Sequence, residues 1–325
     1  MSSLFFENLS FDPYTFSAYN IKLMEALKSC YVNAPCKINL HLRIKEKRSD
    51  GFHELESIFA ALDFGDSLRF ELTGKEGDWE LQLNQSSWAD AEIRGDTNLI
   101  SKAAALFRQR TGFSRGLYCR LEKRIPLASG LGGASSDAAA ALLALNHLAD
   151  TGLSREELLS MAAVLGSDVP FFIHGGAAWV SGRGECIEPL PPIGDFGVLL
   201  VKPPFQSFTP AAFKLLEAYR GGGGFFPGSG TAEELKSAWL GPPQKWPFFN
   251  DFLALLPEEQ DYRKILSSLG ETGALFSGLS GSGSCCFGVF SDKKKALAAE
   301  KAIKSSEIFA QATFFLASRA NPVLE

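Results

Sequence analysis

The chain is poor in the residues that build metal centres and disulfide frames. Only four of its 325 residues are histidine and three are methionine. So few imidazoles argue against a metal cluster. His53-Glu54 is not followed by a second histidine at the spacing of a zinc-binding helix. The six cysteines are Cys30, Cys36, Cys119, Cys186, Cys285 and Cys286. They contain no Cys-x-x-Cys pair, and two of them are adjacent. That reads as reduced, mostly packing thiols in a cytoplasmic protein, not as a disulfide framework or zinc site. No apolar run approaches the ~20 residues needed to span a bilayer, so no membrane partner is expected. A basic excess is also lacking. The net charge is -5, which argues against a general nucleic-acid surface. Met1–Asn20 has no early lysine or arginine and contains Glu7 and Asp12, against a targeting leader. Residues 1–29 are read as an N-terminal extension, with a short amphipathic helix over Asn20–Lys28.

What is present is a large apolar fraction, 46% hydrophobic against 21% charged. This suits two domains around substantial cores. Pro189, Pro191 and Pro192 mark a boundary, giving a first domain over 30–192 and a second over 193–325. From Lys37 the chain alternates, with Ile38, Leu40, Leu42 and Ile44 apolar, and Lys37, Asn39, His41 and Arg43 between them. Period-2 alternation predicts a strand with Lys37 and Asn39 on one face. Arg48-Ser49-Asp50-Gly51 predicts a turn, Asp66–Thr73 a strand, and Leu117–Ile125 another. Ser136–Leu148 is apolar nearly all round and predicts a buried helix. Ser154-Arg155-Glu156-Glu157 is a capping box opening a helix that ends near Gly166. Gly197–Lys202 reads as a buried strand. Helices at about Glu258–Leu269 and Lys293–Lys304 alternate with strands at about Cys285–Phe290 and Ala312–Ala317. That is an α+β pattern. Gly221–Gly224, Gly228-Ser229-Gly230 and Gly241-Pro242-Pro243 read as inserted surface loops.

The most informative stretch is Pro126-Leu-Ala-Ser129-Gly130-Leu131-Gly132-Gly133-Ala134-Ser135-Ser136-Asp137, which runs into the buried helix. A helix N-terminus has unpaired amides and a partial positive charge, and glycines let backbone approach a ligand. Such a turn either holds phosphate or is only tight packing. It is not a Walker A loop, because no Gly-Lys-Ser/Thr follows, nor a dinucleotide fingerprint, because Ser135 stands where the third glycine belongs. Ser135 and Ser136 can cap the helix, hold a phosphate oxygen or ligate Mg²⁺. Asp63-Phe64-Gly65 and Asp195-Phe196-Gly197 resemble the metal-binding tripeptide of protein kinases, but its companion motifs are missing. Asp168, in Gly166-Ser167-Asp168-Val169-Pro170, is either an N-cap or a carboxylate at a cleft mouth. Ser277–Ser284 is a structural turn or a second glycine loop meeting the first.

Taken together and in order, these segments resemble the GHMP kinase superfamily. Within it they are most similar to the kinases of a cytidine-diphosphate-linked methylerythritol. The resemblance is carried by Ala34-Pro35-Cys36-Lys37-Ile38-Asn39-Leu40, Arg48–His53, Leu62–Asp66, Thr97–Ile100, the glycine turn, Leu165–Phe171 and Leu279–Gly283. It covers the chain from about Cys30 onward. The Asp-Gly-aromatic-His segment at 50–53 separates these kinases from their cousins.

That resemblance implies an α+β GHMP fold. A catalytic, nucleotide-binding domain precedes a ferredoxin-like domain, with the active site in the cleft between them. It implies transfer of the γ-phosphoryl of ATP to the 2-hydroxyl of the substrate, with Mg²⁺ bridging the phosphates, by a monomer or weak homodimer. By matching position, Lys37 and Asp168 are the catalytic pair. A carboxylate accepts the proton of a poorly nucleophilic alcohol, and an ammonium offsets charge on the transferring group. Pro126, Ser129, Gly130, Leu131, Gly132, Gly133, Ala134, Ser135, Ser136 and Asn98 fall to ATP, with Ser136 also a metal ligand. Asn39, Phe52, His53, Thr209, Phe213, Gly281 and Gly283 fall to the alcohol substrate. His53 would read the cytosine edge while Phe52 and Phe213 stack on its faces. The chain departs at Phe52, where tyrosine is more common, and at Cys36, where a small residue such as alanine is usual. A kinase of another alcohol (homoserine, mevalonate or a sugar), the related ATP-dependent decarboxylase and a silent nucleotide-binding regulator are the competing readings.

Overall fold

The computed structural model describes residues 29–85, 98–224, 226, 230–255, 262–305, 307–317 and 323–324. The helix expected over Asn20–Lys28 lies outside them. The alternating segment around Lys37 forms β1 (Ser29–Lys47), which pairs antiparallel with β2 (His53–Thr73). They meet at the expected turn, where the Gly51 amide bonds the Arg48 carbonyl at 3.1 Å and Gly51 takes φ 86°. β2 starts well before Asp66. Asp63-Phe64-Gly65 is a register shift inside a continuous strand, opposite Pro35 and Cys36. A Cβ on Gly65 would overlap the Ala34 carbonyl oxygen, so two backbones approach there without a side chain between them.

The first sheet adds β3 (Trp79–Gln85) and β4 (Gly116–Lys123), parallel to each other and joined through α1 (Leu99–Thr111). β4 lies along the second half of β2. The glycine turn then leads into α2 (Gly133–Leu148), α3 (Arg155–Leu165) and α4 (Val169–His174). The predicted capping box is formed, Ser154 with Glu157, and α3 ends at Gly166. α2 starts at Gly133, before the expected Ser136, because the last glycines of the turn already take helical hydrogen bonds. It is buried on nearly every side, between β1 and the other three helices. β5 (Ala177–Ser181) and β6 (Cys186–Leu190) form a hairpin that pairs with the first half of β2.

The chain then builds a second sheet. β7 (Gly197–Lys202) occupies the expected range. α5 (Thr209–Gly221), α6 (Ala232–Trp239) and α7 (Tyr262–Glu271) follow, then β8 (Phe276–Leu279), β9 (Cys286–Phe290), α8 (Lys293–Ile303) and β10 (Phe309–Phe314). The sheet order β10-β7-β9-β8, all antiparallel, is the ferredoxin-like order. The last described strand, β11 (Val323–Leu324), returns to pair with β1.

The two sheets share a core. Cys36, Ile38 and Leu40 of β1 pack with Val198, Leu200 and Phe287 of the second sheet. Alternation then forces Lys37 and Asn39 onto the opposite face, towards α2 and the glycine turn. His41, also buried, lies near Trp179, Phe248 and Phe249. Burial, aided by Arg43, draws its imidazole down to about 4. An unfolded imidazole takes its proton near pH 6.5, whereas this one takes it only near 4. The unfolded state therefore binds more protons in that window, and stability falls as pH falls through it. Going from pH 7 to pH 5 is expected to remove about 2 kcal/mol through this residue alone. Denaturant midpoints at both pH values should show the loss in the unaltered protein. The loss should shrink by that amount in His41→Phe.

Candidate active site

Pro126–Gly132 leaves β4 and turns into α2 with Gly130 at φ 77° and Gly132 at φ 73°, a region where a side chain is strained. Among the described residues no side chain caps α2; Ser135 and Ser136 do not do so. Its first-turn amides are therefore free of side-chain partners, which suits an anion. Ser129 is turned inward, its hydroxyl donating to the Pro126 carbonyl at 2.7 Å. The turn is braced by a second one, residues 280–284, between β8 and β9. The Ser280 hydroxyl donates to the Gly130 carbonyl at 2.9 Å, and the Cys285 amide to the Ser129 carbonyl at 3.0 Å. Gly281 packs on Gly130, where an added Cβ would lie 3.3 Å from the Gly130 Cα. The two glycine segments thus converge.

Lys37 sits under the same turn. Its amide donates to the Leu131 carbonyl at 3.0 Å. Its side chain is 4% exposed, and Nζ lies 3.5 Å from Asp168 Oδ2. Nζ also donates to Asn39 Oδ1 at 2.5 Å and stands 4.5 Å over the Phe59 ring. Asn39 is itself held: its Nδ2 donates to Ser57 Oγ at 3.1 Å, its amide donates to Ser280 Oγ at 3.3 Å, and Ser57 donates to the His41 carbonyl. Asp168 occupies the N-cap position of α4 but accepts no capping bond. Its carboxylate instead faces Lys37 with 32% of its side chain exposed. A buried ammonium therefore meets a reachable carboxylate at the foot of an amide-lined turn.

A profile described as "GHMP kinases N terminal domain" matches residues 98–176, and "GHMP kinases C terminal" matches 248–307. A 4-diphosphocytidyl-2-C-methyl-D-erythritol kinase of Synechococcus sp. (strain CC9902) is 40% identical over 275 residues, 81% of this chain and 88% of that one. The corresponding protein of Protochlamydia amoebophila (strain UWE25) is 35% identical over 82% of this chain and 88% of its own. The chain belongs to the 4-diphosphocytidyl-2-C-methyl-D-erythritol kinase family. A crystal structure of 4-(cytidine 5'-diphospho)-2C-methyl-D-erythritol kinase superposes with TM-score 0.73 at 29% identity, covering 88% of this chain and 98% of that one. A homoserine kinase from Cytophaga hutchinsonii shares the fold at TM-score 0.66 and 17% identity, over 98% of this chain and 100% of its own.

In this kinase the residues expected at the substrate base lie at the junction of the two sheets. His53 opens β2, and its ring stacks on Phe213 of α5 with centroids 5.0 Å apart. Phe213 meets Phe252 edge-on at 5.1 Å. The imidazole of His53 thus already covers one face of Phe213. Burial lowers the His53 pKa, with Glu217 acting against it and Arg220 and Lys47 with it. Phe52 is 47% exposed, and the Arg183 guanidinium lies 5.0 Å from its ring centroid. Thr209 opens α5 and shares a 2.9 Å hydrogen bond with Ser282. Gly283 is buried close to Tyr262, whose hydroxyl would lie 3.0 Å from an added Cβ. Asn98 lies at the start of α1, with its Oδ1 accepting the Ile100 amide at 2.8 Å as an N-cap.

A cavity of about 910 Å³ opens beside His53, lined by Arg43, Lys45, Lys47, Glu217 and Arg220 among others. These cations escaped the sequence reading. On an alternating strand they look like ordinary solvated charge, and Arg220 belongs to a helix face with no motif. Ser57 and Arg183 escaped for the same reason, and Ser280, though inside the second glycine loop, was not assigned a partner. Each acquires a role only through partners far along the chain.

Proposed function

We propose that this kinase transfers the γ-phosphoryl group of ATP to the 2-hydroxyl of 4-diphosphocytidyl-2-C-methyl-D-erythritol, giving the 2-phosphate and ADP in non-mevalonate isoprenoid biosynthesis. One observation supports it above the others. Lys37 Nζ stands 3.5 Å from Asp168 Oδ2, while the Lys37 amide bonds the glycine turn itself. Proton acceptor, cation and phosphate cradle thus fall within one small volume. Asp168 accepts the hydroxyl proton, and Lys37 offsets charge on the transferring group. Asn39 holds the Lys37 ammonium. The amides of Gly130–Ser136 receive the ATP phosphates. His53 and the aromatic rings beside it take the cytosine, and Thr209, Gly281 and Gly283 border the alcohol. The catalytic part is assigned to 30–192 and the substrate part to 193–325.

Mg²⁺ fits the site on one count. Ser136 Oγ is buried and has no hydrogen-bond partner among the described residues. No cluster of three or more His, Cys, Asp or Glu suited to a metal occurs among the described residues. Ser136 would be the residue of this chain that holds the ion. When bound, the ion neutralises phosphate charge.

Coupled ADP release across a panel of alcohols tests the reading. Turnover is expected with the cytidyl alcohol, and not with homoserine, mevalonate or simple sugars. Turnover with one of those alone, or ATP binding without turnover, would replace it. The base contact makes a second prediction. His53→Ala should raise KM for the cytidyl alcohol about tenfold, the worth of one good hydrogen bond, with KM for ATP unchanged. Because burial keeps the His53 pKa below its usual 6.5, KM of the unaltered enzyme for that alcohol should stay nearly flat from pH 8 to 7. It should rise only in more acid solution, as the imidazole takes a proton. A rise already at pH 7 would contradict a neutral His53.

A further inference from the structure

We infer that Lys123, Asp66 and Asp137 form a buried ionic clamp that fixes the two stems of the glycine turn and so sets its affinity for ATP. The inference rests on reading that turn as the phosphate cradle. All three side chains are almost wholly inaccessible, at 3% for Lys123, 0% for Asp66 and 4% for Asp137. Lys123 Nζ donates to Asp66 Oδ2 and, at 2.8 Å, to Asp137 Oδ2. Asp66 reaches the stem that enters the turn. Its Oδ1 accepts the Arg124 amide at 2.5 Å and the Ile125 amide at 2.8 Å, immediately before Pro126. Lys123 and Asp137 hold the stem that leaves it. Asp137 lies in the first part of α2. A Cβ on Gly133, the first residue of that helix, would stand 3.0 Å from Lys123 Nζ and 3.1 Å from Ile125 Cγ2. The backbone of α2 thus rests directly on the ammonium. Both ends of the turn are pinned to one cation, and the spacing between strand and helix is set by it.

The charges explain why the cluster persists. Burial works against the Lys123 ammonium, but Asp137 and Asp66 outweigh it and hold its pKa above the usual lysine value. Burial and the nearby Asp66 raise Asp137, against the pull of Lys123. A proton on Asp137 leaves one cation facing one anion, a neutral buried group. None of the three side chains belongs to the phosphate-facing surface of the turn. They act as positioning residues, preorganising amides that bind ATP.

Lys123→Met leaves two carboxylates without their cation, and its failure to fold is a real outcome. The double variant Lys123→Met/Asp66→Asn removes the cation together with the anion it faces, keeps an acceptor oxygen for the Arg124 and Ile125 amides and leaves Asp137 as the neutral acid, because removal of both members of a buried ion pair is often tolerated. It is expected to melt near the unaltered enzyme. Its Kd for Mg-ATP should be about tenfold weaker or more, as expected for a misplaced cradle, with Kd for the cytidyl alcohol unchanged. A folded double variant with unaltered Kd for Mg-ATP overturns the clamp. So does a parallel loss of affinity for both substrates, which is general damage. If neither variant folds, hydrogen exchange in the unaltered, ATP-free enzyme decides. The Arg124 and Ile125 amides must be protected, and exchange at open-loop rates overturns the inference. Failure of the unaltered enzyme to bind Mg-ATP, with those amides protected, overturns the reading of the cradle instead.

Discussion

Asp168→Asn is expected to lower kcat by about two to four orders of magnitude, the range typical of a lost general base. Its melting temperature should stay within a few degrees of the unaltered enzyme. Asparagine nearly preserves the shape of aspartate. The carboxylate accepts no helix-capping bond and is 32% exposed, so the fold does not lean on it. A carboxamide cannot take the hydroxyl proton, and it no longer offers an anion to Lys37. KM for both substrates should change little, because neither the glycine turn nor the His53 end of the site includes Asp168. Lys37→Met should lower kcat strongly as well, since one ammonium serves Asp168 and Asn39 together. Groups that act as a unit are non-additive. The double variant should be no slower than the slower single. ADP release at saturating substrates measures all three. A turnover in Asp168→Asn within tenfold of the unaltered enzyme would remove Asp168 from the chemistry.

The parts of this fold legible in the sequence are those set by local rules. The capping box at Ser154–Glu157 needs only neighbours, and it formed as written. Gly197–Lys202 is a short apolar run bounded by turn residues, and its range held. The near-uniform apolarity of Ser136–Leu148 signalled burial on all sides, and α2 is so buried. Features set by long-range pairing were displaced or unseen. The final strand of the second sheet runs Phe309–Phe314, not Ala312–Ala317, because its register against β7 places Phe309 opposite Lys202. Residues 309–317 are apolar apart from Gln311 and Thr313 and carry no turn residue, so only the partner strand decides. The β5–β6 hairpin was not anticipated; its two strands are five residues each and find their place by pairing with β2. The start of β2 was hidden by Asp63-Phe64-Gly65, which has turn composition but lies inside a strand.

The same division holds in the site. The glycine turn stood out by itself because its motif is contiguous, whereas Lys37 and Asp168 were reached only through the family resemblance. A second glycine loop meeting the first was one of the two readings of Ser277–Ser284, but the individual bonds were not legible, because Ser280 reaches Gly130 and Ser57 reaches Asn39 only after the sheets assemble. Lys123, Asp66 and Asp137 lie in three separate segments, and although two of them fall inside quoted motifs, nothing in the sequence brings the three together.

That bracing makes Gly130 the least replaceable residue of the turn. Gly130→Ala should destabilise the protein by about 2–5 kcal/mol, from left-handed strain and overpacking together, and reduce ATP affinity by far more than any single contact would. Gly130 takes φ 77°. A Cβ there would overlap the Ser280 carbonyl oxygen and lie 3.0 Å from its carbon and 3.1 Å from the Gly283 carbonyl oxygen. All of these obstacles are backbone, so no side chain can swing aside. The two turns must separate. Separation breaks the Ser280 hydroxyl bond to the Gly130 carbonyl and the Cys285 amide bond to the Ser129 carbonyl. It also moves Leu131, whose carbonyl holds the Lys37 amide. Gly152 supplies the control. It takes φ 63°, yet an added Cβ meets nothing within 4 Å. Gly152→Ala should therefore show only the strain, about 1–2 kcal/mol, and bind ATP as the unaltered enzyme does. Melting temperature and Kd for Mg-ATP, measured on both variants, separate the two effects. If Gly130→Ala bound ATP within threefold of the unaltered enzyme, the contact between the two glycine segments would be no part of the phosphate site.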